Sequence, residues 1–148
     1  MTEMVDHPTH YKSADGSEVI DIIEKATEGL NGIEAFDIGN MIKYICRWKW
    51  KNGIEDVKKC RWYARHLFGR IIYSGKVSLP PIDDSYSKFV CDSADSFVAD
   101  LNGEEQIYTR AILLYALVFS HDYERKHLKQ IIHLCDELIT YLEERKMN

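Results

Sequence analysis

GNMIKYICRWKWKNGIEDVKKCRWYA, residues 39–64, decides the fold. Met41, Ile42, Ile45 and Cys46 recur at intervals of three and four, the period of a helix that buries one face. Asn52-Gly53 then turns the chain. Asn-Gly commonly joins two β-strands, but the flanks here lack the alternation of apolar and polar residues that strands need. The pair therefore reads as the connection between two helices. The expectation is a helical hairpin, with one helix from Glu34 or Asp37 to about Lys49 and the next from Ile54 to about Tyr73.

Working outward, residues 1–17 hold Pro8, Asp15 and Gly16 and read as an irregular arm. Ser17 can cap a first helix, whose apolar stripe begins at Val19, Ile20, Ile22 and Ile23. Gly29, Asn31 and Gly32 break it. Beyond the hairpin, SGKVSLPP (74–81) reads as a linker, because Pro80-Pro81 cannot continue a helix. Asp83 and Asp84 suit the start of another helix. Asn102-Gly103 ends that one. A strongly apolar helix from Glu104 to about Ser120 follows, then a last helix from Tyr123 to about Arg145. In that last helix Leu128, Ile131, Ile132, Cys135, Leu138, Ile139 and Leu142 form one buried face.

The fold class is all-α: a compact helical domain with a basic helical hairpin at about 37–73 and a C-terminal helical half. The boundaries fall at 1–75, a linker at 76–82, and 83–148. Leu113, Leu117 and Phe119 extend the stripe of the 104–120 helix around much of its circumference. That surplus predicts a homo-oligomer interface in this half.

With 148 residues the chain is long enough for a core that needs no staples. It has no run of ~18 apolar residues to span a membrane, and its first residues, MTEMVDHPTH, are polar and acidic rather than signal-like. The expected location is the cytoplasm. Cys46, Cys60, Cys91 and Cys135 form no C-x-x-C pair and read as small buried apolar residues.

Charge is unevenly placed. Residues 40–76 hold ten Lys and Arg against Glu55 and Asp56, a balance of +8; with −5 for the whole chain, the remainder carries −13. A solvated basic helix face is the plain explanation, but the reversal of sign against an acidic background points to an anionic partner. Residues three and four apart share a helix face. Asn40, Lys43, Tyr44 and Arg47 therefore line one side of the first hairpin helix. Asp56, Lys59, Trp62, Tyr63 and His66 line one side of the second. The turn brings both faces into one groove, with cations for phosphate and rings for base stacking. Trp48 and Trp62 also lie near the apolar stripes and read as packing residues, whereas Trp50 is harder to bury. The strongly negative remainder disfavours wrapping a long nucleic acid. His7 and His10 lack further donors for a metal, so no metal site is expected.

These segments together resemble a known family. DHPTHY (6–11), EVIDIIE (18–24) and residues 39–64 look like the SaV-like phage proteins, a domain of unknown function whose pattern runs HPxHY, EVID, GNxIKYxxR and KNGxEDLKKAxWY. The likeness covers about residues 5–70. Val57 and Cys60 depart from it without changing charge. The family is in turn similar to a small nucleotide kinase of T-odd phages that phosphorylates deoxynucleoside monophosphates without a P-loop. What the resemblance implies is a nucleotide-binding region over 1–75 and a (deoxy)nucleoside monophosphate kinase-like enzyme, with ATP and Mg²⁺ as its co-reactants. It also implies a site in which Asp56, Lys43 and Arg47 take catalytic roles and His7, His10, Tyr11, Asn40, Lys51 and Lys59 hold the nucleotide, to which the groove face adds Trp62 as a further nucleotide-holding ring. The arm then lies against the groove and closes over phosphate.

The residues themselves leave other readings open. A non-catalytic protein that sequesters a cyclic or signalling nucleotide needs the same groove and no general base. A nucleic-acid-binding accessory protein is a further alternative. An all-α nucleotide pyrophosphatase ranks low, because no pair of E-x-x-E and E-x-x-D helices is evident.

Overall fold

The computed structural model describes residues 11–13, 16–71 and 82–146. Helix α1, Val19–Ala26, starts where the Glu18 backbone N–H donates to the Asp21 carboxylate (3.2 Å), and it buries Val19, Ile22 and Ala26 along one side. The cap is thus Glu18 rather than Ser17. Helix α2, Gly32–Arg47, starts earlier than the apolar stripe predicts. Asn31, read as part of a break, accepts the Glu34 N–H with its side chain and so nucleates the helix two residues before Glu34. A short 3₁₀ turn, Trp48–Trp50, then tightens the chain. Helix α3, Ile54–Ile71, opens behind Gly53, whose φ of 57° is the left-handed conformation the turn requires.

Helix α4, Asp84–Phe97, is capped by Asp83, which accepts the Tyr86 N–H at 2.7 Å. Helix α5 spans Gly103–Asp122 and helix α6 spans Arg125–Lys146. Between them Tyr123 takes φ 55°, a left-handed residue that ends α5. Among the described residues there is no strand, only a lone bridge between Lys12 and Glu18. No described helix is long and apolar enough to cross a membrane.

Two antiparallel hairpins, α2–α3 and α5–α6, pack side by side as a four-helix bundle. Helix α2 lies against α5, and contacts at opposite ends fix their directions: Trp48 Nε1 donates to Thr109 Oγ1 at one end, and Tyr123 Oη donates to Glu34 Oε2 at the other, both at 3.0 Å. Helix α3 lies against α6 in the same sense, with Arg61 on Asp136 (2.6 Å) and Arg125 over the Phe68 ring (3.8 Å). Helices α3 and α5 therefore run parallel, and the segment carrying α4 makes the crossover. Helix α1 packs on α2 and α4 on α5.

One core joins both halves of the chain. Met41, Ile45, Cys60, Leu67, Ile112, Leu117 and Leu138 are all fully or nearly fully buried in it. This changes the account of the C-terminal half. Leu113, Leu117 and Phe119 are fully buried within the single chain, because α2 and α6 cover α5 on adjacent sides. The surplus apolar surface on which the oligomer expectation rested is used inside the chain. Cys46, Cys60 and Cys135 are buried as expected, but Cys91 is exposed.

Candidate functional site

The α2–α3 hairpin is joined across its seam by polar and aromatic pairs. Nearest the turn, Arg47 Nε and Nη2 each donate to Asp56 at 3.2 Å, and both side chains are buried. The Asn52 backbone N–H also donates to Asp56 Oδ2 (3.3 Å), so the carboxylate fixes turn and hairpin together. Arg47 Nη1 donates to Tyr11 Oη at 2.7 Å, which places the end of the N-terminal arm on the guanidinium. Burial would lower the Arg47 pKa, but the bonds to Asp56 and Tyr11 outweigh it and hold the guanidinium above its ordinary value. His7 and His10, expected to close over the groove, lie outside the described residues.

Halfway along the seam the Tyr44 and Tyr63 rings stack, 6.0 Å apart and 13° from parallel. Three cations gather around Tyr44: Arg47 Cζ at 4.7 Å, Lys43 Nζ at 5.0 Å and Lys59 Nζ at 5.3 Å from the ring centroid. The fold thus brings together Lys43, Arg47 and Lys59 as the sequence predicts. Among the described residues neither Lys43 nor Lys59 pairs with a carboxylate, whereas Lys49 is spent on Glu105 and Arg61 on Asp136. Three positive groups around one ring repel one another, and an anion placed between them would relieve that repulsion.

Of the other expected residues, Asn40 shares the face but donates its amide to the Phe36 carbonyl of its own helix at 2.9 Å. Lys51 stands exposed in the turn. Trp62, read equally as a packing residue, is 57 % exposed, because Cys60, Ala64 and Leu67 carry the buried stripe of α3 and leave Trp62 outside it. Trp48 does pack, at 3 % exposure. Phe36, which the sequence reading passed over, is 55 % exposed and meets Tyr63 edge-on at 5.7 Å. Trp62 meets Tyr63 edge-on at 5.0 Å, so an accessible aromatic surface adjoins the cations.

Farther from the turn, Asp37 Oδ2 lies 2.7 Å from His66 Nδ1, and Trp62 stacks on the imidazole at 5.1 Å. Asp37 had been read only as a possible helix start. It shares a face with Asn40 and Tyr44 at helical spacing, as His66 does with Tyr63, and that periodicity was the available signal for the pair.

The described residues offer no group of three or more His, Cys, Asp or Glu able to hold a metal ion. Asp56, expected to take a catalytic role, has its oxygens engaged by Arg47 and Asn52. The described side chains therefore do not fit a resident divalent ion at this position.

No curated protein and no solved structure matches the chain. Residues 5–65, which contain α1, α2, the turn and the cation-bearing part of α3, match the model of a family described as a protein of unknown function (DUF3310).

Proposed function

We propose that the outer face of the α2–α3 hairpin binds a nucleoside monophosphate, with the phosphate among Lys43, Arg47 and Lys59 and the base against the exposed aromatic surface. The observation that carries this is the Tyr44 cluster, where two lysines without carboxylate partners and an arginine surround one ring beside Trp62 and Phe36. Charge-assisted contacts to phosphate and stacking on aromatic rings are together the ordinary means of holding a nucleotide. The resemblance to phage proteins extends the reading to an enzyme of nucleotide metabolism that works in the host cytoplasm. Phosphoryl transfer from ATP to a (deoxy)nucleoside monophosphate asks mainly for positioning and positive charge, both of which this face supplies.

A second reading has an observation of its own. Asp56 is buried and spent on Arg47, and the described residues gather no carboxylate cluster. A protein that only holds a nucleotide, sequestering it from another process, needs neither. One experiment separates the two: incubation of the full chain with each deoxynucleoside monophosphate plus ATP, followed by product analysis and recovery of the ligand. Formation of the diphosphate supports the kinase. Stoichiometric binding with intact ligand supports sequestration. Absence of binding to every nucleotide removes both.

A further inference from the structure

Asp37 is a fully buried carboxylate with a single hydrogen-bonding partner. Its Oδ2 meets His66 Nδ1, while Oδ1 is buried without any partner. Burying an ionised group so sparsely bonded is costly, and an apolar residue would pack there more cheaply. What the arrangement achieves is control of an imidazole. An ionised carboxylate only accepts, so Nδ1 carries the proton, and whenever the ring is neutral Nε2 keeps its lone pair. Trp62, stacked on the ring within 10° of parallel, fixes its plane as well. Nε2 forms no hydrogen bond with any described residue, and it is not among the buried unpartnered atoms, so it is open to solvent.

The position of this nitrogen matters. His66 lies seven residues beyond Lys59 on α3, about 10 Å farther along the axis at ~1.5 Å per residue, with Trp62 and Tyr63 between them. Cations, rings and a fixed acceptor thus follow one another along a single face, so that a ligand with its phosphate among the cations extends its nucleoside part along the rings towards Nε2. We propose that His66 Nε2 accepts a hydrogen bond from the nucleoside part of the ligand, either a sugar hydroxyl or a base N–H, and that Asp37 is the positioning residue that keeps Nε2 an acceptor. The inference rests on the nucleotide reading above and adds a second anchor to it, one that selects ligands offering a donor about two helical turns from their phosphate.

Calorimetry on the full chain tests it with three probes: pyrophosphate, ribose 5-phosphate and adenosine monophosphate. His66→Phe keeps a flat ring against Trp62 and removes Nε2. The expected result is a roughly tenfold loss of affinity for adenosine monophosphate with unchanged affinity for pyrophosphate. Loss of ribose 5-phosphate binding as well identifies the sugar hydroxyl as the donor; its retention identifies the base. Asp37→Asn, which lets the imidazole adopt the opposite tautomer, should weaken the same ligands as His66→Phe and leave pyrophosphate unaffected. Wild-type affinity for adenosine monophosphate in His66→Phe overturns the second anchor alone, provided Lys43→Ala and Lys59→Ala still weaken binding tenfold or more. Equal losses for pyrophosphate and adenosine monophosphate in His66→Phe also overturn it, because His66 then merely supports the hairpin. Failure of the wild-type chain to bind any of the three overturns this inference together with the reading it rests on.

Discussion

Asp56→Ala would leave the Arg47 guanidinium buried with Tyr11 as its remaining hydrogen-bonding partner among the described residues, and a buried charge stripped of its counter-ion costs about 3–5 kcal/mol. Urea denaturation should show a midpoint shift of that order; a shift under about 1 kcal/mol would mean that the pair is solvated in solution. The same geometry makes Arg47→Ala a poor probe of binding, since it strips Asp56 of its main partner and disturbs the turn. Lys43→Ala and Lys59→Ala are cleaner. Neither lysine pairs with a carboxylate among the described residues, so each substitution should leave the thermal midpoint within about a degree or two while weakening nucleotide binding tenfold or more. Wild-type affinity in both variants, measured by calorimetry, would leave the Tyr44 cluster without a role in binding.

Single residues hold the elements in place at two points. Gly53→Ala puts a Cβ on a left-handed residue and should destabilise the hairpin by about 1 kcal/mol although the space around it is open. Asn31→Ala removes the α2 cap and should cost a further ~1 kcal/mol; additive losses in the double variant would show that the α2 cap and the hairpin turn act independently. The helices themselves were legible, because each buries one face at a period of three to four, and Asn52-Gly53 located the hairpin turn. The start of α2 was not, since Asn31 acts as a cap and sequence alone reads it equally well as a breaker. The convergence of Lys43, Arg47 and Lys59 followed from helical spacing. The burial of Asp56 did not, because spacing says which face a carboxylate lies on and nothing about what covers it. Spacing put His66 on the groove face, but its pairing with Asp37 was hidden for a related reason: the two are 29 residues apart in sequence and meet only through the register of the folded hairpin.

Across the whole molecule, burial couples stability to pH on the alkaline side. The Cys60 thiol, hydrogen-bonded to Cys135 and buried, and the Cys46 thiol, buried, are both pushed well above their ordinary range. Burial raises the Tyr86 phenol, and burial together with the bond to Glu34 raises Tyr123. Each group stays protonated in the folded chain and ionises in the unfolded one, so its contribution is intact below the unfolded pKa and declines above it. Stability should therefore be flat up to about pH 8.5 and fall beyond it, by up to about 1.4 kcal/mol per pH unit for each group, first for the thiols and then above about pH 10 for the phenols. Urea midpoints at pH 7, 9 and 10 check this, and Cys46→Ala should flatten the first part of the fall. A flat profile to pH 10 would mean that the thiols are accessible to water.

The seam of the hairpin bears on how this chain can change over time. Residue numbers in the contacts Arg47–Asp56, Tyr44–Lys59 and Asp37–His66 all add to 103, so one antiparallel alignment sets all three. Replacing a side chain disturbs one of them. Adding one residue within α3, between Asp56 and Lys59, turns everything after it by about 100°. Lys59 then leaves Tyr44, His66 leaves Asp37, Ala64 and Leu67 leave the core, and Arg61 leaves Asp136 on α6. Insertions and deletions along this stretch would be far more damaging than exchanges of residue type, and variation in length would be confined to the connections between helices.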